Sequence, residues 1–166
     1  MAFTDKTIVL ITSANTGIGF ELAKQFLSDA SKHILLGSRS ASKGEKAVQD
    51  LQSQNPPGTV EFMQIDVSKQ DSIVAAAKHV EVKHGHPDVL VNNTRIFSSG
   101  DPDAADIQSL VDTFTTNAAG PCATVKVFEP LLSRSASNTP RIINVTSVLD
   151  SISTRLDKSN PIYNFK

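Results

Sequence analysis

The chain has 166 residues, 39% hydrophobic and 20% charged, the balance of one soluble globular domain with no room for a second full one. Sixteen Lys and Arg against seventeen Asp and Glu leave a net charge of -1, which argues against nucleic acid or a membrane surface and points to a small-molecule partner. Cys122 is the single cysteine, MAFTDK lacks the pattern of a signal peptide, and no apolar run approaches the ~20 residues that cross a bilayer, so a cytoplasmic setting is expected.

In chain order, TIVLIT (7–12), HILLG (33–37), VEFMQI (60–65), DVLVN (88–92) and RIINVT (141–146) are short apolar runs. Their apolar residues are nearly continuous rather than alternating, which predicts five strands buried on both faces inside the sheet. GFELAKQFLSDA, KGEKAVQDLQSQ, QDSIVAAAKHVEVKHG and the stretch from Ala104 to Leu132 carry apolar residues at helical spacing and predict four crossover helices. The clusters Asn55-Pro56-Pro57-Gly58 and Gly85-His86-Pro87 separate helix from strand. The alternation predicts an α/β fold with a doubly wound parallel sheet, Rossmann-like. Its binding domain covers 1–147, and 148–166 is polar, without a period, and reads as a loop or tail. The triplets Asn92-Asn93-Thr94 and Asn144-Val145-Thr146 read as coincidental glycosylation patterns. His84-Gly85-His86 has no third ligand near it in sequence and reads as a helix ending, so no metal site is expected.

Thr12-Ser13-Ala14-Asn15-Thr16-Gly17-Ile18-Gly19 follows the first strand and opens the first helix. Gly17 and Gly19 let the backbone approach a pyrophosphate, and the helix N-terminus offers unpaired N–H groups to an anion. A tight turn that needs small residues for packing alone is the blander reading. In this context the turn TSANTGIG resembles the Thr-Gly-x-x-x-Gly-x-Gly of the short-chain dehydrogenase/reductase family. GFELAKQFL and GSRSASKGEKAV resemble a fungal subgroup of that family that includes ketoreductases of polyketide pathways. Ser13 stands where the family has its first Gly, a position that often demands a backbone conformation costly for a residue with a Cβ, so weaker cofactor binding is expected.

The resemblance places cofactor contacts at Ser13, Asn15, Gly17, Ile18 and Gly19 in the turn. Gly37-Ser38-Arg39 closes the second strand with a cation where an NAD-preferring protein carries an acid, so NADP is the expected cofactor, held by Ser38 and Arg39. Lys43, one turn on, adds charge there or is simply a solvated helix residue. Asp66 and Val67 match the family pair that meets the adenine, with a helix N-cap as the alternative for Asp66. Asn92 and Asn93 match the family Asn pair, whereas Thr94 and Arg95 replace the small residues that follow it.

For chemistry, the resemblance matches Ser147 to the family Ser that orients a substrate oxygen and Asn117 to the family Asn of a water relay. A chain-turning Ser and an Asn in a helix kink are the plainer readings. Tyr163 and Lys166 have the types of the family's acid and its helper, but they are three residues apart rather than four. Nothing follows Lys166 to propagate a helix, so Tyr163 reads as part of the loop before a missing catalytic helix, with the last strands of the family fold missing too. The expected function is NADP-dependent reduction of a ketone, with competence in question and oligomerisation doubtful without that helix. A non-catalytic NADP-binding or interaction protein is the alternative, and an unrelated doubly wound binder such as a methyltransferase-like domain the third.

Overall fold

A computed structural model describes residues 6–97, 106–135 and 140–147, together with Ser153 and Ser159. Strands β1 (Thr7–Ile11) and β2 (Lys32–Ser38) are buried along almost their whole length, which is why their apolar residues run without a break. The two-residue pleat divides each run between two cores. Ile8, Leu10 and Leu35 face one side with Met63, Ile73, Val80, Phe128 and Leu131. Val9, Ile11, Ile34 and Leu36 face the other with Ala23, Leu27, Val48 and Leu51.

Strands β3 (Thr59–Gln64), β4 (Val89–Asn92) and β5 (Arg141–Asn144) complete a five-stranded sheet of order β3-β2-β1-β4-β5. Every pairing is parallel. Helices α1 (Gly17–Phe26) and α2 (Ala41–Gln52) supply one covering layer, and α3 (Gln70–His84) and α5 (Gly120–Leu132) the other. The doubly wound α/β architecture thus follows from the alternation of runs. One expectation is corrected: β3 and β5 are not inside the sheet. Each has a single partner strand among the described residues; β3 mixes buried, half-buried and exposed positions, and all four residues of β5 are exposed.

The stretch read as a fourth helix is interrupted. α4 (Ile107–Phe114) runs into a π-helical turn at Thr115–Ala119 and then into α5. α3 ends at His84, where Gly85 adopts φ 83° and its N–H reaches the carbonyls of Val80 and Glu81. Among the described residues no helix is long and apolar enough to cross a membrane.

Candidate functional site

Strand order reverses between β1 and β4, so the connections leaving their C-terminal ends part to opposite faces and open a crevice there. A groove along this edge is lined from each strand end in turn: Ser13 and Asn15 after β1, Ser38 and Arg39 at the end of β2, Asp66 and Val67 after β3, Thr94 and Arg95 after β4. The fold thereby gathers side chains that lie more than eighty residues apart in sequence.

The turn after β1 is held in an unusual backbone. Ser13 has φ 53° and Gly17 φ 59°, both in the left-handed region. Gly17 meets nothing within 4 Å of the place a Cβ would take, so its requirement is conformational. Gly19 is different: a Cβ would come within 2.9 Å of Ala14 Cα and Ser13 O and would also strike the Asn93 amide. Thr16, the N-cap of α1, makes no side-chain cap bond, and the first turn of α1 carries no acidic residue. Neither a capping side chain nor a first-turn carboxylate therefore competes for the N–H groups at that end. Ile18 in the same turn is 70% exposed.

Thr12 laces this turn to β4. Its Oγ1 accepts the N–H groups of Asn93 at 3.0 Å and Thr94 at 3.1 Å, and its own hydroxyl reaches Val91 O at 3.4 Å. The Asn93 side-chain amide donates to Thr12 O at 3.0 Å and Ser13 O at 3.2 Å. Asn92 is buried and turns the other way, donating to Asn144 Oδ1 of β5 at 2.9 Å. The Asn pair therefore does two jobs: Asn93 clamps the turn, and Asn92 ties β4 to β5.

At the end of β2, Ser38 is buried and its hydroxyl donates to Ser40 O at 3.0 Å, so it braces the bend rather than facing solvent. Arg39 and Lys43 are both exposed on the groove. Ser40 caps α2 by accepting the Lys43 N–H at 3.4 Å. Asp66 is not a helix N-cap, because α3 begins after Lys69. Its Oδ1 instead accepts the Ser68 N–H at 3.1 Å and hydroxyl at 2.7 Å, a local turn that fixes the carboxylate beside the groove.

Asn117 lies in the π-helical turn, and its amide makes a reciprocal pair with one backbone unit: Oδ1 accepts Ile96 N–H at 2.8 Å while Nδ2 donates to Ile96 O at 2.8 Å. A π turn shifts the helix register by one residue, and such turns recur at functional sites. Ser147 is half-buried just past β5. Tyr163 and Lys166 lie outside the described residues.

The family model for short chain dehydrogenase matches residues 7–154. The chain belongs to the short-chain dehydrogenase family. It is 41% identical over 152 residues to a short-chain dehydrogenase, anuI, of Penicillium roqueforti, covering 92% of this chain and 60% of the relative. Rat carbonyl reductase [NADPH] 1 is 34% identical over 161 residues, 94% of this chain and 53% of that protein. The salutaridine reductase structure from Papaver somniferum superposes with a TM-score of 0.76 at 29% identity, covering 90% of this chain and 60% of that one. The chain thus spans little more than half the length of these relatives.

Several residues in and behind the groove have roles the sequence does not reveal. Thr12 reads only as the first residue of the turn TSANTGIG, yet its hydroxyl organises the junction of β1 and β4. Thr116 lines the groove through its place beside Asn117 in the π turn, a backbone irregularity that helical periodicity does not reveal. Ser40 and Ser68 bridge the bends that follow β2 and β3.

Proposed function

We propose that the groove holds NADP(H) in preference to NAD(H), and that the reaction this dehydrogenase chain serves is reduction of a ketone on a small molecule. The residues present suit such a cofactor. The left-handed turn, the uncapped start of α1 and the bare Gly19 form a cradle for a pyrophosphate. When bound, the nicotinamide supplies a hydride. Arg39 carries the preference: it is exposed on the groove at the end of β2, where an acid would repel a 2′-phosphate and a guanidinium pairs with it. Lys43, one helical turn further on the same groove, adds a second positive charge. Asp66 and Val67 are proposed to flank the adenine, Asn117 to fix the backbone at Ile96 beside the reactive end, and Ser147 to orient a carbonyl oxygen.

Calorimetric titration with NADP+ and NAD+ tests the reading. The unmodified chain is expected to bind NADP+ more tightly. Because Arg39 is solvent-exposed, its charge-assisted pair is taken at the low end, about 1.5 kcal/mol, so Arg39→Ala should weaken NADP+ about tenfold and leave NAD+ nearly unchanged. Equal affinity for the two cofactors in the unmodified chain overturns the assignment.

A further inference from the structure

Three side chains that the groove does not use meet on one face of the sheet, away from its C-terminal edge. His33 stands at the start of β2, Glu61 in the middle of β3, and His84 is the last residue of α3. In the parallel register His33 lies beside Thr59, so Glu61, two residues further along β3, points to the same face. Met63 continues that alternation into the core shared with Ile73 and Val80 of α3, which brings the end of α3 over the pair.

The geometry is that of a ligand set. His84 Nε2 lies 2.7 Å and His33 Nε2 3.9 Å from the same carboxylate oxygen, Glu61 Oε1. The three potential ligand atoms all fall within 4.8 Å of one another, and the imidazole centroids are 5.1 Å apart. Two of the three ligands are also held from behind. His33 Nδ1 is engaged by Thr59 Oγ1 at 2.8 Å, and Lys83 Nζ binds the other Glu61 oxygen. Such outer contacts orient metal ligands. The His33 side chain is 2% exposed and that of His84 0%, whereas Glu61 keeps 18%, which leaves an approach from solvent.

We propose that His33, Glu61 and His84 form a Zn2+ site, with its fourth position open to water. Two imidazoles and a carboxylate are the donor set of an open tetrahedral zinc centre, whose ligand atoms sit roughly 3.3–3.5 Å apart for bonds of about 2.0–2.2 Å. The observed separations bracket that value, so rotamer shifts on the order of 1 Å seat the ion. The sequence did not announce this set, because its members come from three separate elements and the nearby His86 takes no part.

The test is metal binding by the whole 166-residue chain, measured by equilibrium dialysis against Zn2+ and by the visible absorption of Co2+ as a tetrahedral reporter. The proposal expects one Zn2+ per chain and an intense Co2+ band. Glu61→Gln and His84→Gln, both close in shape and each confirmed as folded by circular dichroism, should each weaken binding at least about tenfold. His86→Gln should bind as the unmodified chain does. Absence of stoichiometric Zn2+ in the unmodified chain overturns the site, and so does undiminished binding in either Glu61→Gln or His84→Gln, since the three side chains would then be only an ion-pair network.

Discussion

Ser13→Gly isolates the strain in the glycine-rich turn after β1. Ser13 holds φ 53°, and an L-residue in the left-handed region costs about 1–2 kcal/mol relative to glycine. Glycine in turn loses more freedom on folding, an opposing term of about 0.5–1 kcal/mol. The Ser13 carbonyl keeps its bond from the Asn93 amide in either case, because that contact belongs to the backbone. The net expectation is a stabilisation of roughly 0.5–1 kcal/mol, or about 1–4 °C in Tm for a domain of this size. Urea unfolding followed by circular dichroism measures it, and titration with NADP+ should show tighter binding once the turn is relaxed. Asn55 provides an internal standard at φ 49°. Asparagine tolerates that region, so Asn55→Gly should gain less than Ser13→Gly. A loss of stability in Ser13→Gly, or an equal gain at both positions, would refute the strain argument.

Thr12→Val keeps the shape of the side chain but removes the oxygen that accepts two N–H groups; chemical denaturation should show a loss of about 2–4 kcal/mol. Gly19→Ala places a Cβ within 2.9 Å of backbone atoms, so the turn must shift, at a cost of about 1–3 kcal/mol and with weaker NADP+ binding by calorimetry. Asn117→Ala removes both bonds to Ile96; a destabilisation of about 1–3 kcal/mol is expected, with faster hydrogen exchange at the Ile96 amide as the site-specific readout.

The sequence made the strands legible because burial on both faces writes itself as a continuous apolar run, and β1 and β2 match their runs to within a residue or so. β5 was found for the same reason, yet its exposure was not foreseen: RIIN carries the composition of an inner strand, and composition does not state how many neighbours a strand has. In the site, residues defined by the local turn, such as Ser13 and Gly17, could be placed from their neighbours in sequence. Thr12 and Ser40 could not, because their roles depend on a hydroxyl meeting backbone N–H groups at another segment or a bend, and Thr116 could not, because the π turn that places it is not written in the apolar spacing. The interruption at Thr115–Ala119 was hidden for a related reason. An inserted π turn changes hydrogen-bond register while the helical spacing of apolar residues before and after it survives.

The lacing of Thr12 and Asn93 has a consequence for how this region tolerates change. The turn after β1, the end of β4 and, through Asn92 and Val145, the start of the segment after β5 share one set of bonds. Substitutions at positions 12, 13 and 93 therefore should not add independently: once Asn93 loses its amide, the remaining worth of Thr12 falls, because the loop it anchors is already released. Changes at these positions are therefore expected to be tolerated together rather than singly, because the Asn93 amide restrains the Ser13 peptide from outside. Epistasis at the turn is in this sense a geometric property, set by how many bonds converge on a single strand-to-helix crossing.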